Sequence, residues 1–397
     1  AHLQESGIFE TTPSSCRVLN VWYMPNKSLY VVYEIAFARA STAILTVRFV
    51  RDDEADQARR QSAGAFLELR ARNAIAWLFP SDPRREEFAL LTDIAAAGAL
   101  RANAPASQTI TAPARWQLLS YLPGERCALG YGGADGPLTV VGKAQKHAVE
   151  THRQLSKLWR NPDRGFDMAE PLAANGALGA RWERFVPGTR IDKIDDSSLL
   201  QESVKRAMEG LANLHRLQLD DLPMRGMGDV HRRVTTKVAC RVRSALPGLG
   251  PEADAFCQKL TDAMHQQPSR KIATLHGDFH TANILFDGTR PCFIDLDELA
   301  QGDPAYDIAL FATRLLLTGL QMPNRMVAFA SLAEAMPQIY RSTGGERIPE
   351  HVYAWYVAAL LVGRQVKTCI RHYAPRLEET SRVLMDWANK TLDHGAF

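Results

Sequence analysis

Three polar residues in the last third of the chain have the types and the order that phosphoryl transfer requires. Asp278 precedes Asn283 by five positions and Asp295 by seventeen. In phosphoryl transfer, one carboxylate orients the acceptor hydroxyl and takes its proton, and other oxygen ligands hold Mg²⁺ against the phosphates of a nucleotide. Proteins usually give Mg²⁺ only one or two carboxylates and leave its other positions to phosphate and water. The three residues therefore predict a catalytic base beside a magnesium site.

The sequence between these residues predicts a hairpin that brings two of them together. Short apolar runs at 284–286 and 292–294 flank a turn at 287–289. A hairpin there places Asn283 and Asp295 at the same end, close enough to share a metal ion. Each residue taken singly also suits an ordinary turn or helix cap. The combination at this spacing favours the metal site.

The segment from His276 to Asp307 resembles the aminoglycoside phosphotransferase and choline kinase family, which shares the protein-kinase-like fold. The family signature is His-Gly-Asp, an asparagine five residues later, Ile-Asp, and finally Gly-Asp-Pro-x-x-Asp. This sequence matches the signature in order with His276-Gly277-Asp278, Asn283, Ile294-Asp295, and the run from Gly302 to Asp307.

The resemblance implies a role for each matched residue. Asp278 is expected to be the catalytic base, and Asn283 and Asp295 are expected to be the magnesium ligands. His276 is expected to brace the catalytic loop through hydrogen bonds rather than act as a base. Asp307 is expected to support that loop from the helix that follows.

A kinase also needs a cation for the nucleotide phosphates, which a β-strand lysine usually provides. Lys143 ends the strand predicted at 138–142, and it follows a hairpin whose turn at 123–126 would cover the phosphates. The expected carboxylate partner is Glu150, the only acidic residue between Lys143 and Trp159. The alternative, which is equally favoured, is that Glu150 is an exposed carboxylate on a helix and does not pair with Lys143.

Residues 181–188 are predicted to form the hinge, where backbone groups near Glu183 and Val186 would pair with an adenine edge. An alternative nucleotide lobe would use Arg48 and the turn at 25–27. That alternative is disfavoured because it lies farther from the catalytic segment in sequence and because arginine is not interchangeable with lysine.

The chain is predicted to be α+β, with strands in its first half and helices in its second. Tyr23-Met24-Pro25 and Tyr121-Leu122-Pro123 each begin a turn within a cluster of three predicted strands. The second cluster therefore reads as a loose copy of the first, although two unrelated hairpins can converge on the same turn chemistry. The strands are predicted at 18–23, 29–37, 43–50, 116–121, 127–131 and 138–145. The helices are predicted at 54–75, 86–97, 144–158, 204–217, 242–264, 304–320, 351–367 and 377–392.

The resemblance and these elements together predict a bilobal protein-kinase-like fold with an extra N-terminal α+β domain. Residues 1–110 are predicted to be an accessory, cap-like domain, which the loose repeat relates to the N-lobe hairpin. Residues 111–187 would be the nucleotide-binding N-lobe and hinge. Residues 188–397 would be a helical C-lobe that carries the catalytic loop and the acceptor site.

Composition excludes several function classes. The net charge is +3, from 47 basic and 44 acidic residues, and no Lys/Arg block indicates nucleic-acid binding. The six cysteines are far apart, which predicts reduced thiols in a cytoplasmic protein. No apolar run predicts a signal peptide or a membrane span. No protein partner is implied.

The predicted function is transfer of the γ-phosphate of ATP or GTP, with Mg²⁺, to a hydroxyl of a sugar, aminoglycoside, amino alcohol or similar metabolite. A protein acceptor is less expected because Gly277 stands where protein kinases carry arginine. Asp297, Glu298 and Asp303 would suit a cationic acceptor, although loops are commonly acidic. The alternative function is a non-catalytic kinase-like module that binds a nucleotide or metabolite.

Overall fold

The computed structural model describes residues 12–38, 42–51, 67–69, 73–93, 114–264 and 272–395. The contacts divide the chain into two compact units. The first comprises Ala1–Gln154, Glu170–Phe185 and Arg371–Tyr373, and the second comprises Leu155–Ala169, Val186–Ile370 and Ala374–Phe397. The described part of the first unit is mainly sheet and that of the second mainly helix, which is the predicted α+β organisation.

The front of the first unit is an antiparallel sheet with the strand order β1-β2-β3-β5-β4. Its strands are β1 (Pro13–Met24), β2 (Ser28–Phe37), β3 (Thr42–Val50), β4 (Leu67–Leu69) and β5 (Ala74–Leu78). The three strands predicted for this region are confirmed. The helix predicted at 54–75 is wrong at its C-terminal end, where β4 and the start of β5 lie; residues 52–66 fall outside the described residues. Residues 74–77 are all buried, and such a continuous apolar run does not distinguish a strand from a helix.

The second sheet of this unit has the same pattern of strand order, β6-β7-β8-β11-β10, and is also antiparallel throughout. Its strands are β6 (Arg115–Leu122), β7 (Arg126–Gly132), β8 (Leu138–Ala144), β10 (Pro171–Asn175) and β11 (Ala180–Arg184). In both sheets three consecutive strands form a meander, and a later hairpin pairs through its second strand with the third strand of the meander. The shared order supports the interpretation that one cluster is a copy of the other.

The first hairpins of the two sheets also share their turn chemistry. The Lys27 N–H donates to Met24 O at 3.0 Å, and the Glu125 N–H donates to Leu122 O at 3.0 Å. The third turn residue has a positive φ in each case, +61° at Asn26 and +70° at Gly124. A proline followed by asparagine or glycine with positive φ is the type II turn pattern, which explains why both sequences turn at the same point.

Residues of the front segment and of the second sheet share one hydrophobic core. Helix α1 (Glu87–Thr92) contributes Phe88 and Leu91, which are buried. The ring centroids of Phe79 and Tyr121 lie 4.9 Å apart in an edge-on arrangement that favours aromatic pairs. The core includes Val32, Phe79, Phe88, Leu91, Tyr121, Leu129, Tyr131 and Trp182. The predicted accessory segment thus shares its core with the predicted N-lobe.

A buried carboxylate ties the same two parts together. Asp82, only 1% exposed, accepts from the Arg84 N–H at 2.9 Å, the Tyr121 hydroxyl at 2.6 Å and the Gly124 N–H at 2.7 Å. The Trp77 indole donates to the Tyr121 oxygen at 3.0 Å. Burial, together with the Asp82 carboxylate, raises the pKa of Tyr121, so its hydroxyl stays a donor. A buried carboxylate is tolerated because several donors satisfy it.

The second unit is built from helices with two small sheets. The sheets have the orders β12-β15-β16-β9 and β13-β17-β14. Their strands are β9 (Asp167–Met168), β12 (Thr189–Arg190), β13 (Met224–Arg225), β14 (Ala273–Leu275), β15 (Ile284–Phe286), β16 (Pro291–Phe293) and β17 (Ala300–Gly302). Helix α2 (Ala148–Trp159) begins in the first unit and ends in the second. The remaining helices are α3 (Ser197–Arg216), α4 (Met227–Arg232), α5 (Ala239–Ala245), α6 (Gly250–Met264), α7 (Ala305–Gln321), α8 (Met326–Ser342), α9 (Glu350–Leu360), α10 (Lys367–Arg371) and α11 (Leu377–His394).

Two helical predictions need correction. The helix predicted at 242–264 is two helices, because Pro247 begins a short 3₁₀ turn between α5 and α6. Helix α8 was not predicted, and it contains Pro337 in its interior. Within the described ranges, no helix combines the length and the apolar character needed to cross a membrane.

Two π-helical turns interrupt the helices of this unit. One spans Arg233–Val238 between α4 and α5, and the other spans Leu361–Val366 between α9 and α10. They pack against each other, and a Cβ added to Gly363 would lie 2.8 Å from Val234 Cγ2. The absence of a side chain at Gly363 is therefore what allows this close approach. π-Helical turns are rare and are frequently found at functional sites.

Candidate active site

The hairpin of β15 and β16 positions the two predicted metal ligands. Ile284 pairs with Phe293, and the Ile294 N–H donates to Asn283 O at 3.0 Å, so the pairing continues to the end of the hairpin. Asp295 follows directly, with φ +58°. The structure therefore places Asn283 and Asp295 at the same end of this hairpin.

Asn283 also connects the hairpin to the catalytic loop. Its Nδ2 donates to Asp278 O at 3.0 Å and lies 3.5 Å from Asp278 Oδ2. Because the amide nitrogen is used in this way, Oδ1 is left as an acceptor for a cation. One amide oxygen and the carboxylate of Asp295 suit Mg²⁺, which keeps water and phosphate as its other ligands. No cluster of three His, Cys, Asp or Glu that could hold a metal occurs in the described ranges.

Asp307 anchors the catalytic loop from the first turn of α7. Its fully buried carboxylate accepts from the His276 N–H at 2.7 Å and from the Gly277 N–H at 3.0 Å. His215 of α3 lies 3.2 Å from the same carboxylate through Nε2, and its Nδ1 lies 2.7 Å from the Tyr340 hydroxyl. A carboxylate only accepts, so Nε2 donates and Nδ1 accepts from the tyrosine. Both loop amides are thus held in a buried network.

His276 is enclosed within the loop. It has no exposed surface, and its ring packs edge-on against Phe279 and Phe293 at centroid distances of 5.6 and 6.1 Å. Its Nδ1 accepts from the Asp278 N–H at 3.4 Å. Burial lowers the pKa of His276, so the ring stays neutral near neutral pH. A neutral, enclosed ring suits a bracing role.

The side chain of Asp278 is paired with an arginine that the sequence did not single out. Arg364, in the second π-helical turn, donates from Nη2 to Asp278 Oδ1, and the two side chains are 17% and 20% exposed. His280 Nε2 lies 3.6 Å from the other oxygen, Oδ2. Burial by itself raises the pKa of Asp278, but Arg364, His280 and His276 together hold it well below its usual range. Asp278 is therefore ionised at neutral pH.

A second arginine fixes the backbone beside Asp278. Arg225 of β13 donates to Gly277 O, to the Tyr306 hydroxyl at 3.2 Å and to Glu298 Oε2 at 3.0 Å. The same Glu298 oxygen lies 3.8 Å from Arg364 Nη1. Burial works against the charge of Arg225, but Tyr306 and Glu298 raise its pKa overall. Glu298, which the sequence analysis left open, is thus shared by two arginines.

Among the residues of the first unit that are predicted to bind the nucleotide, Lys143 forms an ion pair with Glu183. Lys143 Nζ lies 3.1 Å from Glu183 Oε1, and both side chains are largely buried. Lys143 pairs with Arg181 across β8 and β11, so Glu183, two residues along, lies on the same face. Arg181 also donates to Glu183. Glu150, the partner predicted from the sequence, is half exposed on α2, where it binds Arg153 at 2.7 Å and Gln154 at 3.1 Å.

Other predicted features of this region are placed as follows. In the turn at 123–126, the Gly124 N–H is bonded to Asp82, so this amide is already occupied by the front segment. Val186 begins the second stretch of the second unit, and the preceding Phe185 N–H donates to Thr139 O at 2.9 Å.

In the described part of the front sheet, the position that corresponds to Glu183 carries no carboxylate to pair with Arg48. Arg48 lies on the third strand of the front sheet, as Lys143 does in the second sheet, and it pairs with Ile75 of β5. Trp77, two residues beyond Ile75, therefore occupies the position that Glu183 occupies in the second sheet. The Arg48 guanidinium lies over the Tyr30 ring, 5.6 Å from its centroid. An aromatic face holds a cation without supplying a carboxylate. This chemistry argues against the alternative nucleotide lobe at Arg48.

These elements define a protein-kinase-like phosphotransferase, and comparison with known proteins agrees. Residues 143–338, just under half of the chain, match the phosphotransferase enzyme family. The predicted resemblance to this family and the predicted enzyme class, a phosphotransferase, are therefore confirmed. None of the curated proteins is a match for the sequence.

Three solved structures have the same fold. A choline/ethanolamine kinase family protein from Mesorhizobium loti is 17% identical, with a TM-score of 0.50, and the match covers 73% of this chain and 94% of that one. A candidate aminoglycoside phosphotransferase from Ralstonia eutropha JMP134 is 14% identical, with a TM-score of 0.51 and coverages of 74% and 97%. The apo form of a thermostable mutant aminoglycoside phosphotransferase is 12% identical, with a TM-score of 0.51 and coverages of 72% and 96%. At these identities the likeness establishes the fold, and the predicted fold class is confirmed.

Gly277 is the position in the loop where a side chain is least tolerated. Its φ is +79°, and an added Cβ would lie 1.9 Å from Glu298 O. Gly277→Ala is therefore expected to lower the free energy of unfolding by about 2–4 kcal/mol, from backbone strain together with overpacking. Urea denaturation measures the loss.

Gly288 provides the matched control for this prediction. It also has a positive φ, +99°, but an added Cβ would meet nothing within 4 Å among the described residues. Gly288→Ala is expected to cost only the strain, about 1–2 kcal/mol. Equal losses in the two variants would contradict the close contact at Gly277.

Proposed function

We propose that the chain is a Mg²⁺-dependent kinase that transfers the γ-phosphoryl group of ATP or GTP to a hydroxyl group of a small molecule. The observation that carries the proposal is the grouping of Asp278, Asn283 and Asp295 at one end of a hairpin, on a loop anchored by Asp307. The family match of the same segment supports it.

In this proposal the acceptor oxygen forms a bond to the γ-phosphorus while the bond from that phosphorus to the β,γ-bridging oxygen breaks. The hydroxyl proton passes to Asp278, and the products are a phosphate ester and a nucleoside diphosphate. Mg²⁺, held by Asn283 and Asp295, would supply neutralisation of the phosphate charge. Asp278 is a weak base because its pKa is held low, which suits a reaction in which positioning the hydroxyl matters more than early proton removal.

For the nucleotide, we assign Lys143 to the phosphates and the segment 181–188, with Glu183 and Val186, to the base. Glu183 then has an additional part, because its carboxylate holds the Lys143 side chain in place. The ion pair fixes the direction of the Lys143 side chain, as the strand lysine of a kinase requires. We place the enzyme in the cytoplasm, where nucleotides are abundant, since none of its six cysteines forms a disulfide.

The test is acceptor-dependent formation of a phosphate ester. The protein is incubated with ATP or GTP, with and without Mg²⁺, and with a panel of neutral, cationic and anionic hydroxyl compounds. ³¹P NMR then follows the reaction. We expect a new ester resonance and nucleoside diphosphate in equal amounts, only when both Mg²⁺ and an acceptor are present. Asn283→Ala should require more Mg²⁺ for the same rate, because it removes one metal ligand.

Asp287→Asn is the control, since Asp287 lies in the exposed turn of the same hairpin and accepts from the Thr289 and Arg290 amides. Its Mg²⁺ requirement should equal that of the parent. If nucleotide binds but no ester forms with any acceptor, the enzyme proposal fails and the non-catalytic module is favoured. An unchanged Mg²⁺ requirement in Asn283→Ala would reject the metal site alone.

A further inference from the structure

The second unit contains a cavity that reaches the ion-pair partner of Asp278. Arg364 lines this inner cavity, which has a volume of about 30 Å³, together with Tyr306 and the side chains of both π-helical turns. A larger cleft of about 420 Å³ adjoins it and shares Arg225, Asp229 and Arg233 as lining residues. A ligand in the cleft that extends into the cavity would therefore come next to the proposed base.

The two π-helical turns form opposite walls of the cavity. The first contributes Arg233 and Val234, and the second contributes Gly363 and Arg364. Their close packing at Gly363 holds the two walls together, so the two arginines occupy fixed places on one cavity.

The lining is strongly cationic. The cavity and the cleft are lined by only one carboxylate, that of Asp229. The cationic side chains that line them are Arg225, Arg232, Arg233, Lys237 and Arg364. Asp229 binds Arg232 at 2.5 Å. Glu298 and Asp278 neutralise Arg225 and Arg364 from outside the lining.

Arg233 and Lys237 carry the remaining positive charge. Within the ranges that the structure describes, neither has a carboxylate at ion-pair distance, and both are exposed to solvent. Cations that line one concave surface without matching anions attract an anionic ligand. A solvated helix face would not need two such residues beside an arginine-lined cavity.

We propose that this cavity binds a carboxylate or phosphate group of the acceptor, so that the substrate of the proposed kinase is an anionic hydroxyl compound. The inference rests on the proposed function and names its substrate class. It departs from the cationic acceptor that the acidic loop residues suggested. Glu298 is already shared by two arginines, and Asp303 accepts from the Ala305 N–H at 2.9 Å, so both carboxylates are engaged within the protein.

The position of Arg364 limits the size of the substrate. Its guanidinium binds Asp278 and also lines the cavity, and its fork of donors can bind two oxygen groups at once. A substrate that places its hydroxyl at Asp278 and its anion at Arg364 has the two groups separated by only a few bonds.

The test uses two matched series of compounds that differ in charge. The three-carbon series is D-glycerate, glycerol 3-phosphate, glycerol and 2-amino-1,3-propanediol, and the six-carbon series is gluconate, glucose 6-phosphate, glucose and glucosamine. Binding is measured by isothermal titration calorimetry without nucleotide, so the result does not depend on turnover. We expect at least one anionic compound to bind about ten- to a hundredfold more tightly than the neutral compound of its series.

Variants then locate the binding to this surface. Arg233→Gln combined with Lys237→Gln should weaken that anion by about tenfold or more and leave the neutral compounds unaffected. Arg206→Gln, which removes an exposed arginine bound to Glu202 elsewhere on α3, is the matched control and should change nothing. A carboxylate that binds while its phosphate counterpart does not, or the reverse, identifies which anion is recognised.

The inference is overturned if no anionic compound binds, if neutral or cationic compounds bind equally well, or if the double variant binds the anion as the parent does. Phosphoryl transfer to a cationic or neutral acceptor would reject the inference while the proposed kinase function stands. Anion binding by a protein that forms no phosphate ester would reject the kinase function instead.

Discussion

Asp278→Asn is expected to lower kcat/KM for phosphoryl transfer by about 10²–10⁴-fold, the range that loss of a general base produces. Asparagine has nearly the same shape but cannot take the hydroxyl proton. It also loses the charge that Arg364 holds in place. Most of the loss should fall on kcat, because nucleotide binding does not require this carboxylate. Steady-state kinetics with the acceptor found in the NMR panel measures the effect.

The melting temperature of the variant must be compared with that of the parent, so that a folding defect is not mistaken for a catalytic one. Asp287→Asn again provides the control and should retain full activity. Residual activity within threefold of the parent in Asp278→Asn would remove the carboxylate from the mechanism. Nucleotide affinity that falls together with kcat would indicate a displaced loop rather than a missing base.

Arg364→Gln is expected to destabilise the protein by about 3–5 kcal/mol at neutral pH, because it leaves the Asp278 charge buried without its strongest partner. The loss should depend on pH. In the parent, Arg364 keeps the pKa of Asp278 below that of the unfolded chain, which is about 4. The pair therefore stabilises the fold above about pH 4 and loses this contribution as the pH falls through the folded pKa.

Arg364→Gln removes the largest influence that lowers the pKa of Asp278, while burial, which raises that pKa, remains. The variant therefore protonates Asp278 at a higher pH than the parent does and avoids part of the cost in acid, so the gap from the parent should widen as the pH rises to 7. Urea denaturation at pH 4.5, 6 and 7.5 measures this gap. Arg364→Lys keeps the charge and should show a smaller loss. A gap that is the same at every pH would contradict the ion pair as its source.

The local part of the site could be predicted from the sequence, and the distant part could not. Asp278, Asn283 and Asp295 lie close together along the chain, so one hairpin fixes their relation. Arg225 and Arg364 reach the same loop from 52 and 86 residues away along the sequence. Their contacts depend on how helices and short strands pack. The available signal was an arginine within the long apolar run 352–370, since a buried arginine requires a partner.

The register between β8 and β11 explains why Glu183 lies beside Lys143. The sequence predicts a carboxylate partner on the helix that follows, Glu150. The pairing of Lys143 with Arg181 across β8 and β11 brings Glu183 to the same face of the sheet as Lys143. Cross-strand neighbours depend on which strands pair and in which register, and neither can be read from the spacing along one strand. Glu183 had been chosen only for its place in the hinge segment.

The strands of the first unit were easier to predict than the helices of the second. Alternating residues and type II turns mark β1 to β3 and β6 to β8 directly in the sequence. The π-helical turn at Leu361–Val366 has no such mark, because its residues continue the apolar pattern of α9. Residues 351–367 are therefore helical throughout, as predicted, but the second half of this helix is π-helical rather than α-helical.

The core shared by the front segment and the second sheet limits how this enzyme can be divided. The family match begins at Lys143, inside β8, and a shortened chain starting there would lose most of the sheet that carries the lysine. A chain starting at residue 111 would keep the strands but uncover Tyr121, Leu129 and Tyr131, which Phe79, Phe88 and Leu91 now cover. Such a fragment would expose an aromatic surface prone to aggregation. The smallest piece that can be produced in soluble form therefore extends well beyond the region that family membership outlines.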